Sequence, residues 1–369
     1  MRNIIKILSA KTSPTTVNMD RSIASISSTS NNVRQDVFPL NQWTITTRSG
    51  VIMQSKCTCS KNLVQTHEKP EKLCTICQYQ AQLPQLYTMP DMVFNENILR
   101  LEHVTGIGIE FNALDALRKV EETKDPLRVA LADGWQSARA DFPFAKSITK
   151  PFDWTFTTDY RGTLLEVAKQ NLRSKQRSRQ VSSLSNADID ASQAASSSNN
   201  PEPMCKEKSP DTRDELNKET IAAPQTQNPT SIQPEKISLL TEETFERIDV
   251  NKLTVKEEIL FYDDVTLFED ELADHGTASY SVKVRVMPHS LFILARFYLR
   301  VDGVLARIND TRIYHELGKR YMLREYTNRE AKLSSLDLPI STVINPNELM
   351  HHLPIIQSKY EKLTVPRMM

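Results

Sequence analysis

The sequence predicts an α+β fold dominated by antiparallel sheet, with a few short helices and a long disordered linker interrupting it. Three observations lead there. Residues 291–316, LFILARFYLRVDGVLARINDTRIYHE, place two β-leaning segments around Asp302-Gly303, and Asp-Gly between apolar runs signals a two-residue hairpin turn with positive φ at both positions. In residues 280–287, YSVKVRVM, Val282, Val284 and Val286 alternate with Lys283 and Arg285, the period of a half-solvated strand. Residues 161–244 contain no Phe, Trp or Tyr, and 174–236 are rich in Ser, Asn, Gln and Pro. Such chain cannot bury enough apolar surface to offset the entropy of ordering it.

The elements follow in chain order. Residues 1–35 are expected to form a disordered tail: they are Ser/Thr-rich, carry no acid before Asp20, and a lysine breaks their short apolar core, which argues against a secretory signal. Residues 36–173 form the first part of the domain. In it, 38–53 alternate around Trp43, Ile45 and Thr47 as a hairpin or edge strand. A cysteine-bearing insert occupies 55–88. Residues 92–111 read as strands joined near Asn95-Glu96 and near Gly106. Asn112, with Asp115 three residues on, resembles a capping box for a helix reaching Glu122. Pro126 opens a second helical piece. Phe152, Trp154, Phe156, Thr158 and Tyr160 are evenly spaced, as on one strand face.

After the linker, 237–369 are the second part of the same domain. Residues 251–259 read as a short helix with Thr254-x-x-Glu257 as its capping box. ILFYDDVTLFEDEL reads as a strand with an acidic end, and 321–326 continue the sheet. Asn345-Pro346-Asn347-Glu348 has the cap, first-position proline and early acid of a helix start.

Composition narrows the function classes. The chain has 369 residues, 46 basic against 46 acidic, so no excess positive charge points to nucleic acid. No apolar run approaches the length of a membrane span. With eight glycines and no GxGxxG, Walker or GxSxG string, nucleotide-cradling chemistry is not expected.

Three local signals carry chemistry. Cys57-x-Cys59, then Cys74-x-x-Cys77, resembles a zinc ribbon in its second half, with Lys56, Lys61, Lys69 and Lys72 around it; disulfides and free thiols are the rival readings. The run Asp263, Asp264, Glu269, Asp270, Glu271 and Asp274, beside His275, admits a metal-dependent hydrolase, against which stands its contiguity: hydrolytic metal sites draw ligands from several elements, so a solvated acidic edge is the plainer reading. Arg173, Lys175, Arg177 and Arg179 open the linker as a nuclear-import patch or a solvated charge run.

The strings MVFNENILRL, GIGIEFNALDALR, WQSAR, KPFDWTFTTDYRGTLL, LFEDELADHG, VKVRVMP, RFYLRVDGVLARINDTRIYHE and YMLREYTNREAK resemble the TIPRL family, the TOR signalling pathway regulator-like proteins, over nearly all of 38–165 and 245–365. The resemblance implies a non-enzymatic regulator that binds the catalytic subunits of type 2A, 4 and 6 protein phosphatases and restrains or modulates them within TOR signalling. A cytoplasmic protein with a nuclear pool, monomeric until it binds, is the corresponding expectation. The resemblance carries the phosphatase-binding role to Asp115, Ile248, Ile308 and Asp310. Each also has a structural reading: Asp115 as part of a helix cap, Ile308 as core, Asp310 as a turn residue. Ile308 and Asp310 share one strand face, an apolar anchor beside a charge as in an interface hot spot. The cysteine insert and the linker depart from the family pattern.

Overall fold

The computed structural model describes residues 26–30, 33–59, 73–86, 88–120, 154–168 and 236–367. The second helical piece after Pro126, the basic cluster at 173–179, Phe152, and Lys61, Lys69 and Lys72 lie outside the described residues.

The described residues within Met1–Glu166 and Ser238–Met369 form one compact unit. Its first sheet consists of β1 (Ile26–Ser30), β2 (Val33–Leu40), β3 (Trp43–Ser49), β5 (Ile98–His103), β6 (Gly108–Asn112) and β7 (Thr163–Leu165), in the order β1-β2-β3-β5-β6-β7. Its second consists of β4 (Met92–Val93), β10 (Leu240–Glu243), β11 (Phe261–Asp270), β12 (Gly276–Met287), β13 (Ser290–Val301), β14 (Leu305–Glu316), β15 (Tyr321–Lys332) and β16 (Ile355–Thr364), ordered β10-β16-β15-β14-β13-β12-β11-β4. All these pairings are antiparallel. Short helices are α1 (Thr75–Gln82), α2 (Ala113–Arg118), α3 (Val250–Thr254), α4 (Ile340–Val343) and α5 (Pro346–Leu349). The second unit spans 167–237; its described part is a ribbon of β8 (Val167–Ala168) and β9 (Lys236–Ile237). No helix among the described residues is long and apolar enough to cross a membrane.

The two large sheets pack face to face. Phe38 of β2 stacks on Phe261 of β11 at 5.2 Å, and Trp43 of β3 meets His315 of β14 edge-on at 5.6 Å. Between them lie Val282, Val284, Val286, Ile293 and Phe297, all fully buried, as their alternation predicts. Removing an aliphatic or aromatic side chain of this kind from water is worth about 1.5–3 kcal/mol each.

The β13–β14 hairpin sits at the centre of the larger sheet, as expected, but its turn differs. Val301 pairs with Leu305 around a three-residue loop, Asp302 has no positive φ, and only Gly303 takes φ +70°. A two-residue turn would have set Ala295 across from Asp310. The extra residue sets Arg296 there instead, and moves Ile308 and Asp310 onto the face of Arg296 and Tyr298.

Other expectations change as well. Chain is paired from Ile26, so the tail predicted for 1–35 overlaps β1 and β2, held by main-chain bonds that composition does not register. Residues 154–162 are not a strand: Phe156 sits at φ +55°, and Thr158 alone makes a bridge, to Val120. That bridge also ends α2 short of Glu122. Residues 255–259 are not helical; α3 is capped by Asp249, whose carboxylate accepts from the Asn251 N–H at 2.9 Å, and Thr254 is its last residue, not its cap. The cap at Asn345 is as predicted, its side chain accepting from the Asn347 N–H.

Candidate functional site

Strand alternation gives the larger sheet an outer face, away from the sandwich interior, carrying Phe292, Leu294, Arg296 and Tyr298 of β13 opposite Tyr314, Arg312, Asp310 and Ile308 of β14. One end of it is covered by α4 and α5: Leu349 and Leu353 pack on Tyr298, Ala306 and Ile308, and the Tyr298 hydroxyl donates to the Val343 carbonyl at 2.9 Å. The other end is covered by the chain around α3, where Ile248 and Leu253 pack with Tyr314, Leu323 and Phe292.

An ion-pair seam joins the two covers. Arg296 donates to both Asp310 oxygens, at 2.6 and 2.7 Å, and through Nη1 to Asn347 Oδ1 of α5 at 2.8 Å. Two residues along β14, Arg312 donates to Glu325 Oε2 at 2.6 Å, and Glu325 Oε1 accepts the Ile248 N–H at 2.7 Å. Each bond here is charge-assisted, and the Arg296–Asp310 fork fixes orientation as well.

Three of the four residues expected to meet a partner, Ile248, Ile308 and Asp310, therefore lie on one face of one sheet. They are not displayed on it: Ile308 is 0%, Asp310 2% and Ile248 4% exposed. In this structure the three side chains are not open to a partner. Ile308 is core beneath α5, and Asp310 neutralises Arg296. Large apolar residues are exposed in the chain near these covers, none singled out from the sequence: Phe245 at 97%, Val250 and Val255 in and just after α3, Ile259, and Ile340 and Ile344 in and just after α4, with Tyr262 of β11 opposite Arg285. Phe245, Val250 and Val255 stand singly in polar chain, whereas Ile259 and Tyr262 belong to the run that opens β11.

Asp115 stands elsewhere. Asn112 caps α2 by accepting the Asp115 N–H at 2.8 Å, and the Asp115 carboxylate accepts from the Asn112 amide, the Thr163 hydroxyl and Arg118. The reciprocal bond goes to the cap's side chain, not to its main chain as in a full capping box. Burial raises the Asp115 pKa, but these donors outweigh it and hold the carboxyl below 3.8. Asp115, Arg118, Arg161, Gly162 and Arg324 line a groove of about 390 Å³. Arg324 is tied from within to Glu361 at 2.7 Å.

Three carboxylates of the acidic run, Asp263, Asp264 and Asp270, have separate structural tasks. Asp263 accepts from the Thr47 hydroxyl of the opposite sheet, and Asp264 pairs with Lys283 at 2.8 Å. Asp270 accepts the N–H groups of Leu272 and Asp91, holding a corner in which Leu272, Ala273 and Asp274 all have left-handed φ of 51–66°.

The four cysteines do come together. Cys74 caps α1, Cys77 lies in its first turn, and Ile76, Tyr79 and Leu83 bury the helix against the fold. The sulfurs of Cys57, Cys59, Cys74 and Cys77 all lie within 4.8 Å of one another, the only such convergence of three or more His, Cys, Asp or Glu side chains among the described residues. Burial raises the Cys74 pKa, yet the N–H groups of Cys77 and Thr58 and the neighbouring thiols bring it down to about 5.

Comparison with known proteins places this architecture. The family model of the TIP41-like family matches residues 92–337. The chain is 39% identical over 312 residues to the TIP41-like protein of Homo sapiens, covering 84% of this chain and 87% of that one. It is 31% identical over 342 residues to the TIP41-like protein of Caenorhabditis elegans, covering 90% and 92%. It is 28% identical over 346 residues to the type 2A phosphatase activator TIP41 of Saccharomyces cerevisiae, covering 87% and 73%. On the matched region and the 39% identity over 84% of its length, the chain belongs to the TIP41-like family.

Proposed function

We propose that this chain is a non-enzymatic regulator that binds the catalytic subunits of type 2A-class protein phosphatases (types 2A, 4 and 6) and modulates their activity within TOR signalling. It acts as a cytoplasmic monomer with a nuclear pool. The observation that carries the reading is the 28% identity, over 87% of the chain, to the yeast protein named type 2A phosphatase activator. A fission-yeast relative, 23% identical over 338 residues, bears the same description. The rival hydrolase reading has less support, because Asp263, Asp264 and Asp270 spend their carboxylates on Thr47, Lys283, Leu272 and Asp91, and the run does not converge with other ligands among the described residues.

For the contact surface we favour the outer face of the larger sheet. Phe245, Val250, Val255, Ile259 and Tyr262 are large apolar side chains exposed in or near the chain around α3, the kind of exposed apolar surface a protein partner covers. In this reading Asp310, Ile308 and Ile248 act indirectly, by fixing the covers that carry the exposed residues, and Asp115 props the groove beside α2. The test is binding between the purified full chain and a purified phosphatase catalytic subunit, with activity followed on a phosphopeptide. Saturable binding with a change in turnover supports the reading. Absence of binding, or phosphatase turnover by the chain alone, overturns it.

A further inference from the structure

We infer that the cysteine insert is a structural zinc site, with Cys57, Cys59, Cys74 and Cys77 as its four ligands. This is independent of the phosphatase reading. A tetrahedral ion with Zn–S bonds of about 2.3 Å sets its sulfurs roughly 3.8 Å apart. Here the Cys74 and Cys57 sulfurs are 3.8 Å apart, those of Cys57 and Cys77 3.3 Å, and all six separations fall within 4.8 Å. The 3.8 and 3.3 Å separations both exceed the roughly 2.05 Å of a disulfide and match the spacing of a tetrahedral ligand set.

The surroundings fit thiolates. The Cys74 N–H donates to the Cys59 sulfur at 3.0 Å, an outer bond of the kind that orients metal ligands. Cys74 and Cys77 stand at the N-terminal end of α1, where the helix dipole favours negative charge. Lys56 precedes the first ligand and offsets part of the net charge of −2 that a zinc tetrathiolate carries. The single-residue spacing of Cys57 and Cys59 is accommodated because their segment is irregular chain, bent at Ser55–Lys56 and at Cys59, that brings both sulfurs to the end of α1.

The site also has something to hold. At the far end of α1, Gln82 accepts from Arg118 at 2.6 Å, and the Gln85 side chain donates to the Leu117 carbonyl at 3.2 Å. Zinc at the near end would therefore join the Cys57–Cys59 segment to a helix whose far end is fastened to α2, beside Asp115. Each thiol that binds as thiolate releases its proton to solvent, so loading is favoured as pH rises.

The test uses the full chain, purified tag-free under reducing conditions, supplied with zinc and desalted. Mass spectrometry should find close to one zinc per chain, and cobalt substitution should give the intense visible bands of a tetrahedral tetrathiolate. The double variants Cys57→Ser/Cys59→Ser and Cys74→Ser/Cys77→Ser should each drop zinc at least tenfold, while far-ultraviolet circular dichroism shows the sheets intact. If a variant fails to fold, the cobalt spectrum of the wild-type chain decides alone. Less than roughly a tenth of an equivalent in wild type, zinc retained by both variants, or a disulfide between these cysteines in the reduced preparation overturns the inference.

Discussion

Asp310→Leu should cost the fold heavily, and the structure gives the size. Asp310 and Arg296 are 2% and 8% exposed at their side chains, and two bonds of 2.6 and 2.7 Å join them. Leucine removes the anion but leaves the guanidinium in place, with only Asn347 and Met350 to receive it. Breaking one partner out of a buried pair costs about 3–5 kcal/mol. At about 2–4 °C per kcal/mol for a domain of this size, the melting temperature should fall by roughly 6–20 °C. The second change Arg296→Met separates charge from packing. With both charges gone, an apolar pair of similar volume is roughly neutral, so the double variant should recover most of the loss. Urea titration of wild type, Asp310→Leu and Arg296→Met/Asp310→Leu gives the three free energies directly. If Asp310→Leu unfolds at the wild-type midpoint, the pair does not stabilise the fold and the structural role given to Asp310 is wrong.

Three further outcomes follow. Acid should destabilise the protein in two steps. Burial holds His315 below its ordinary 6.5, so the unfolded chain takes up that proton first and stability falls as pH drops below 6.5. Burial raises Glu361, but Arg324 and its neighbours outweigh it and hold the carboxyl below 4.5, so its contribution, full above 4.5, is lost at lower pH. Melting curves from about pH 8 to about pH 3 should show both limbs, with His315→Phe flattening the upper and Glu361→Gln the lower. Asn112→Ala removes the α2 cap and should cost about 1 kcal/mol in urea melts, with no change in denaturant slope. Phe245→Glu with Val255→Glu changes only exposed side chains, so it should leave melting within about a degree yet weaken phosphatase capture at least tenfold; unchanged capture moves the contact away from this face.

Much of the fold is legible in the sequence, because period-two alternation and cap chemistry are local. Val282, Val284 and Val286 point inward as their spacing requires, and Asn112 and Asn345 cap the helices they precede. What is not local was misjudged. The even spacing from Trp154 to Tyr160 imitates a strand, but these residues are buried by tertiary packing of a loop, with the Tyr280 hydroxyl donating to the Tyr160 carbonyl. Asp302-Gly303 announced the hairpin but not the third loop residue, and that one residue decides which face Asp310 shares. The cover over Ile308 comes from α4 and α5, about thirty to forty positions downstream, so nothing near Ile308 in sequence betrays its burial. The cysteines are the converse case: spacing alone left three chemistries open, and folding gathers the sulfurs.

The most direct measurement of the central claim is calorimetric titration of the purified full chain with a purified type 2A-class phosphatase catalytic subunit. The account predicts saturable one-to-one binding that the Phe245→Glu/Val255→Glu variant weakens at least tenfold. No heat of binding from folded wild-type chain, with any of the three phosphatase types, would contradict it.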